Sequence, residues 1–99
     1  MIYKSFSIWD RSEDGLYRYR MLENLDTGKY IAQMRDFFGK KPSISQDWLM
    51  NLEKYFVELL VERSPEDRSG AFDTIQQAIL AFDNYHGRDG DPATGEEEK

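Results

Sequence analysis

Between Ser43 and Arg63 the apolar residues Ile44, Trp48, Leu52, Tyr55, Phe56, Leu59 and Leu60 recur at steps of three and four. That spacing lines one side of a helix, and nothing else in the chain is as long or as regular. Ser43 suits the N-cap, and Gln46 three residues on can close a capping box. Asp47 sits in the first turn, where a negative charge favours the helix dipole. The helix should stop near Arg63, because Pro65 cannot continue it and disfavours helical geometry at Ser64. An apolar stripe of this length has to be covered by something, and that requirement organises the rest of the reading.

The segments before it alternate with a period of two. Ile2, Phe6 and Ile8 interleave with Tyr3, Ser5, Ser7 and Trp9, which predicts a half-buried strand. Asp10 to Gly15 is a turn cluster in which Gly15 tolerates positive φ. Leu16 to Asn24 reads as a second strand, with Tyr17, Tyr19 and Met21 on one side and Arg18 and Arg20 on the other. Asp26-Thr27-Gly28 turns the chain again. Lys29 to Phe38 reads as a third strand, with Tyr30, Ala32 and Met34 opposed to Ile31, Gln33 and Arg35. Connections this short make an antiparallel meander.

After the long helix, Ser64-Pro65-Glu66-Asp67 resembles a new helix start, with proline at the first helical position. A bend or one short turn should lead into a main helix from about Ala71 to His86. Its stripe is Phe72, Ile75, Ile79, Phe82 and Tyr85, and Gly87 serves as C-cap. Beyond it, RDGDPATGEEEK has nothing large and apolar to bury, so it reads as a disordered acidic tail. The expected organisation is one α+β domain over residues 1–87 and a tail over 88–99. The order is βββαα, with two helices packed on one face of the sheet. Ile2, Phe6, Ile8, Tyr17, Tyr19, Met21, Ala32 and Met34 would point at the helices. Tyr3, Ser5, Ser7, Trp9, Arg18, Arg20, Ile31, Gln33 and Arg35 would line an open face.

With 99 residues the chain suits a single domain with a core of its own. It has no cysteine, which removes disulfides, thiolate metal sites and cysteine chemistry. No leader-like segment and no membrane-length apolar run is visible, so a cytoplasmic location is the expectation. The net charge of −6 is unevenly placed. Residues 1–41 carry eight Lys/Arg against six Asp/Glu, while residues 42–87 carry three against eight. The strand half is mildly basic and the helical half acidic, a polarity that can steer partners.

The open face is the leading candidate site. Tyr3, Trp9, Arg18, Arg20, Gln33 and Arg35 combine the aromatic and arginine side chains that carry energy at interfaces. The alternative is a solvated face with arginine stems lying over rings. Asp10-x-Ser12-x-Asp14-Gly15 has the oxygen spacing of half a calcium loop, but Met21 stands where the bidentate glutamate belongs. An Asp- and Ser-rich turn accounts for it without a metal. Asp83 and His86 lie one helical turn apart, as in bundle metal sites, although His86 is the one histidine and also suits the helix end. Trp48, near the start of the helix, could serve as a binding anchor, but its place on the apolar stripe favours core packing. No serine sits in a glycine-rich elbow, and there is no dinucleotide or phosphate loop. No cofactor, metal site or enzymatic activity is therefore expected.

The function expected from these features is a non-catalytic protein–protein interaction module, such as a small inhibitor, immunity protein or regulatory adaptor, using the open sheet face. Two other readings stand beside it. Arg18, Arg20 and Arg35 could contact nucleic acid, against the net charge. Alternatively, Glu53, Glu58, Glu62, Glu66, Asp67, Asp73 and Asp83 could mimic a phosphate backbone.

Overall fold

The computed structural model describes residues 1–40 and 44–87. The expected tail, residues 88–99, and the expected N-cap Ser43 lie outside the described residues. The class is as read: three antiparallel strands followed by helices. The strands are β1 (Tyr3–Ser12), β2 (Gly15–Asn24) and β3 (Lys29–Gly39), in the order β1-β2-β3. The helices are α1 (Gln46–Glu62), the single turn α2 (Pro65–Ser69) and α3 (Ile75–His86).

Each boundary has a local cause. β1 and β2 meet through the two residues between Ser12 and Gly15, which pair with each other. Gly15 has φ of +138°, and a Cβ there would stand 2.7 Å from the backbone of Gly39, so only glycine fits. At the second turn the Asn24 side chain accepts from the backbone N–H groups of Asp26 and Thr27. This is an Asx turn, and it prefigures the hairpin. α1 is capped by Ser45 rather than Ser43: its hydroxyl accepts from the Trp48 N–H at 3.0 Å. Ser64 caps α2 with Pro65 at its start, as the sequence implied. α3 begins later than expected, after its N-cap Thr74.

The residues between α2 and α3 explain that delay. Instead of continuing a helix, Phe72 runs beside the outer edge of β3 and exchanges backbone hydrogen bonds of 2.8 and 2.9 Å with Tyr30. The chain thereby passes around the sheet edge, and the helices divide between the two faces rather than sharing one. Tyr17, Tyr19, Met21 and Ala32 pack with Ala78 and Phe82 of α3, supported by Phe6, Ile8 and Phe72. On the opposite face, Leu22, Ile31 and Met34 pack with Phe56 and Leu59 of α1, supported by Tyr3 and Leu52.

Met34 therefore joins the α1 face, not the side of Ala32. The register supplies the reason: Arg20 pairs with Met34 while the next residue, Met21, pairs with Ala32. Gln33 is the extra residue of a β-bulge, and beyond it every side chain of β3 changes face. Ile2 and Tyr85, both expected against the core, are exposed.

Candidate functional site

The six residues expected on one open face part company. α1 covers the β2 and β3 portion of that face, so Arg20 keeps only 8% of its surface and Gln33 none. Gln33 is enclosed in the bulge, and Arg68 donates to its backbone oxygen at 3.4 Å. Past the bulge, Arg35 points to the opposite face. There it donates to Asp83 of α3 at 2.6 Å, with its guanidinium near the rings of Tyr17 and Phe82. Tyr3 is tied down at the other end of β1, where its hydroxyl donates to Glu66 of α2 at 2.6 Å. That bond, then burial and the nearby negative charge, push the phenol up to about 12. Burial draws Glu66 upward, but the hydrogen bonds from Tyr3 and Asn24 outweigh it and hold the carboxyl below its usual value.

Trp9 and Arg18 remain together. They pair across β1 and β2, and the Arg18 guanidinium lies 5.4 Å from the indole and 5.3 Å from the Phe38 ring. Phe38 is 5.9 Å from Trp9 and 5.2 Å, edge-on, from Trp48 in the first turn of α1. A row of aromatic side chains thus runs across all three strands onto the helix start. Trp9 is 55% exposed and Trp48 37%, with Ile44 and Leu49 exposed beside them. Ser5 and Ser7 extend the accessible surface along β1, which α1 leaves uncovered.

The row rests on an ion-pair network. Arg18 Nε donates to Asp36 at 2.8 Å and Nη2 lies 2.6 Å from the same oxygen. Arg20 Nη1 is 3.9 Å from that oxygen, and Nη2 reaches Glu53 of α1 at 2.8 Å. Arg20 also lies over Phe56, 4.5 Å from the ring centroid. Asp36 has no exposed side-chain surface. Its charge pairs with Arg18 beside Trp9 and Phe38, so the rings are backed by a largely buried ion pair. A patch of this kind can anchor apolar and aromatic groups of a partner. Its arginines are not free to hold phosphate, because Arg18, Arg20 and Arg35 each pair with a carboxylate of the same chain.

The weaker motifs resolve into local structure. Asp14 accepts from the hydroxyls of Ser12 and Tyr17, and among the described residues no three His, Asp or Glu side chains cluster as metal ligands. Asp83 and His86 separate. The carboxylate takes the Tyr19 hydroxyl and Arg35, while the imidazole packs on Phe82 at 4.1 Å. The acids of the mimicry reading are partly engaged: Glu53, Glu66, Asp73 and Asp83 have internal partners. A cleft of about 240 Å³ between α2 and α3, lined by Arg68, Ser69, Ala81, Phe82, Tyr85 and His86, contains none of the expected site residues.

Phe38 and Asp36 are not among the residues singled out from the sequence, and Trp48, expected in the core, is 37% exposed. For Asp36 a signal was present: an acid in β3 facing Arg-x-Arg in β2. Using it requires the register beyond the bulge. For Trp48 the place at the helix start pointed to an anchor and the apolar stripe to the core, and local pattern alone does not choose between them. Compared with known proteins, the chain matches no family model, no curated protein and no solved structure. No helix among the described residues is long and apolar enough to cross a membrane.

Proposed function

We propose that this chain is a non-catalytic protein–protein interaction module, acting in the cytoplasm as an inhibitor, immunity protein or regulatory adaptor. It binds its partner through Trp9, which belongs to the expected sheet face, together with Phe38 of β3 and Trp48 of α1, whose rings adjoin it in the structure. One observation carries the reading: a half-exposed tryptophan held in place by a guanidinium that is itself pinned by a buried carboxylate. Interfaces concentrate their energy in tryptophan, tyrosine and arginine, and a pre-ordered ring loses little entropy on binding. The internal pairing of the three arginines weighs against the nucleic-acid reading, since affinity for a polyanion rests on available positive charge.

Capture from the protein's own cell extract tests the proposal. One dominant protein partner is expected, and Trp9→Ala should weaken its binding by about 30-fold, the effect of losing an anchor worth about 2 kcal/mol. The variant should remain folded, because Trp9 stands on an edge strand and is about half exposed. Undiminished capture by Trp9→Ala would refute the site. Retardation of duplex DNA at about 50 mM salt by the wild-type chain would favour the nucleic-acid reading instead.

A further inference from the structure

The two edges of the sheet are treated differently. The outer edge of β3 is occupied by the Tyr30–Phe72 bridge and by Arg68. The outer edge of β1 has no partner strand among the described residues, although β1 is ten residues long. Sheet edges are usually blunted by proline, bulges, inward-pointing charges or short length. β1 has no proline, and its ladder with β2 runs without a register shift from Tyr3 to Ser12.

The phase of that ladder decides which backbone groups face outward. Leu25 N–H donates to Ile2 C=O, and Ser12 closes the two-residue hairpin against Gly15. The even-numbered residues of β1 are therefore bonded to β2, and Tyr3, Ser5, Ser7, Trp9 and Arg11 present N–H and C=O to the outside. An antiparallel partner strand must use these odd positions.

We infer that the occupant of this edge is the β1 strand of a second copy of this chain, paired antiparallel about a two-fold axis at Ser7. In that register Ser5 opposes Trp9, Tyr3 opposes Arg11 and Ser7 opposes itself, all at positions with outward backbone groups. Between them Phe6 meets Ile8, and Lys4 meets Asp10, each contact occurring twice. These even positions are the non-hydrogen-bonded pairs, where opposed side chains approach most closely. Shifting the axis to Ser5 sets Lys4 against Phe6, and shifting it to Trp9 sets Asp10 against Ile8. Only the axis at Ser7 opposes unlike charges and joins apolar to apolar.

Phe6 and Ile8 lie half-buried at the rim of the α3 face, so the pairing extends that apolar layer across the junction. The chain's acidity does not oppose it locally: β1 carries Lys4, Asp10 and Arg11, a net charge of +1. The product is a six-stranded sheet with both aromatic rows on one side, so the dimer is a bivalent version of the proposed module.

Sedimentation equilibrium of the full chain over a concentration series tests this. A reversible monomer–dimer equilibrium is expected. Ser7→Pro removes an outward N–H without touching the β1–β2 ladder. It should weaken the dimer at least about tenfold while leaving the circular-dichroism melting curve nearly unchanged. Lys4→Asp sets two like-charge pairs across the junction and should weaken it by about tenfold. Adding Asp10→Lys in the same chain should restore the wild-type constant. A wild-type chain that stays monomeric to about 1 mM, a dimer indifferent to Ser7→Pro, or a charge swap that fails to rescue would each overturn the inference. These readouts are independent of Trp9→Ala capture, so either proposal can fail without the other.

Discussion

Arg18→Glu separates a buried network from a solvated face. In the structure Arg18 reaches one oxygen of Asp36 through two nitrogens, at 2.8 and 2.6 Å, and Asp36 shows no side-chain surface. Only 13% of the Arg18 side chain is exposed, so water screens the pair poorly. Reversing the charge removes the partner of a buried carboxylate and places a second carboxylate beside it. Breaking such a pair costs about 3–5 kcal/mol, and losing the contacts with Trp9 and Phe38 adds about 0.5–1 kcal/mol. For a domain of this size each kcal/mol moves Tm by about 4–8 °C, so the fall should be at least about 15 °C. Against a total stability of about 5–15 kcal/mol, the loss is a large fraction of the whole. Urea titration followed by tryptophan fluorescence and far-ultraviolet circular dichroism measures this directly. Glu53→Gln serves as control: Glu53 pairs with Arg20 but is 59% exposed, and its loss should cost less than about 1 kcal/mol. A cycle of Arg18→Met and Asp36→Asn should show coupling of about 1 kcal/mol or more. If Arg18→Glu costs less than about 1 kcal/mol, the pair is solvated, α1 does not cover this face, and the argument for a pinned aromatic row fails.

Asp83→Ala should cost about 3 kcal/mol, since it removes the carboxylate to which the Arg35 guanidinium and the buried Tyr19 hydroxyl both donate; in hydrogen exchange the α3 amides should lose protection first, and uniform loss would refute α3 as the separately anchored element. Tyr3→Phe should give a pH-dependent loss. The folded phenol, raised from 10.0 to about 12, contributes fully below about pH 10 and loses that contribution as pH rises to about 12; the lowered Glu66 carboxyl contributes above its ordinary value and loses that as pH falls through its folded value. The gap between wild type and Tyr3→Phe should therefore close at both ends, and a gap unchanged from about pH 9 to 12 would refute the Tyr3–Glu66 link. Gly15→Ala should cost at least about 2 kcal/mol, because strain at φ +138° is joined by the clash with Gly39, whereas Gly28→Ala, at φ +73° with nothing within 4 Å, should cost about 1 kcal/mol; equal losses in urea titrations would show that the close approach is absent.

Some of this protein is a property of short stretches of chain. Three alternating segments, the turns at Asp14-Gly15 and Asp26-Thr27-Gly28, the proline start of α2 and the periodic α1 were legible because pleat, turn and helix geometry act over a few residues. Trp9 and Arg18 were legible as neighbours for the same reason: they lie on one side of a simple hairpin without a bulge. The division of faces belongs to the tertiary structure. An amphipathic stripe demands cover without naming the surface that supplies it. The crossing at Tyr30–Phe72 joins residues far apart in sequence; Thr74 is a local cap that starts α3 after Phe72, but nothing local pairs Phe72 with Tyr30. The bulge at Gln33 carries no glycine or proline to announce it, yet it turns Met34 toward α1 and Arg35 toward α3. Alternation read straight through that point puts every later side chain on the wrong face. Asp36 could be known as the counter-ion of Arg18, and Trp48 as the end of the aromatic row, only once β3 had its register and α1 its place. A period of two is conserved by the backbone until one extra residue enters, and whether it enters is decided by the packing on both faces at once.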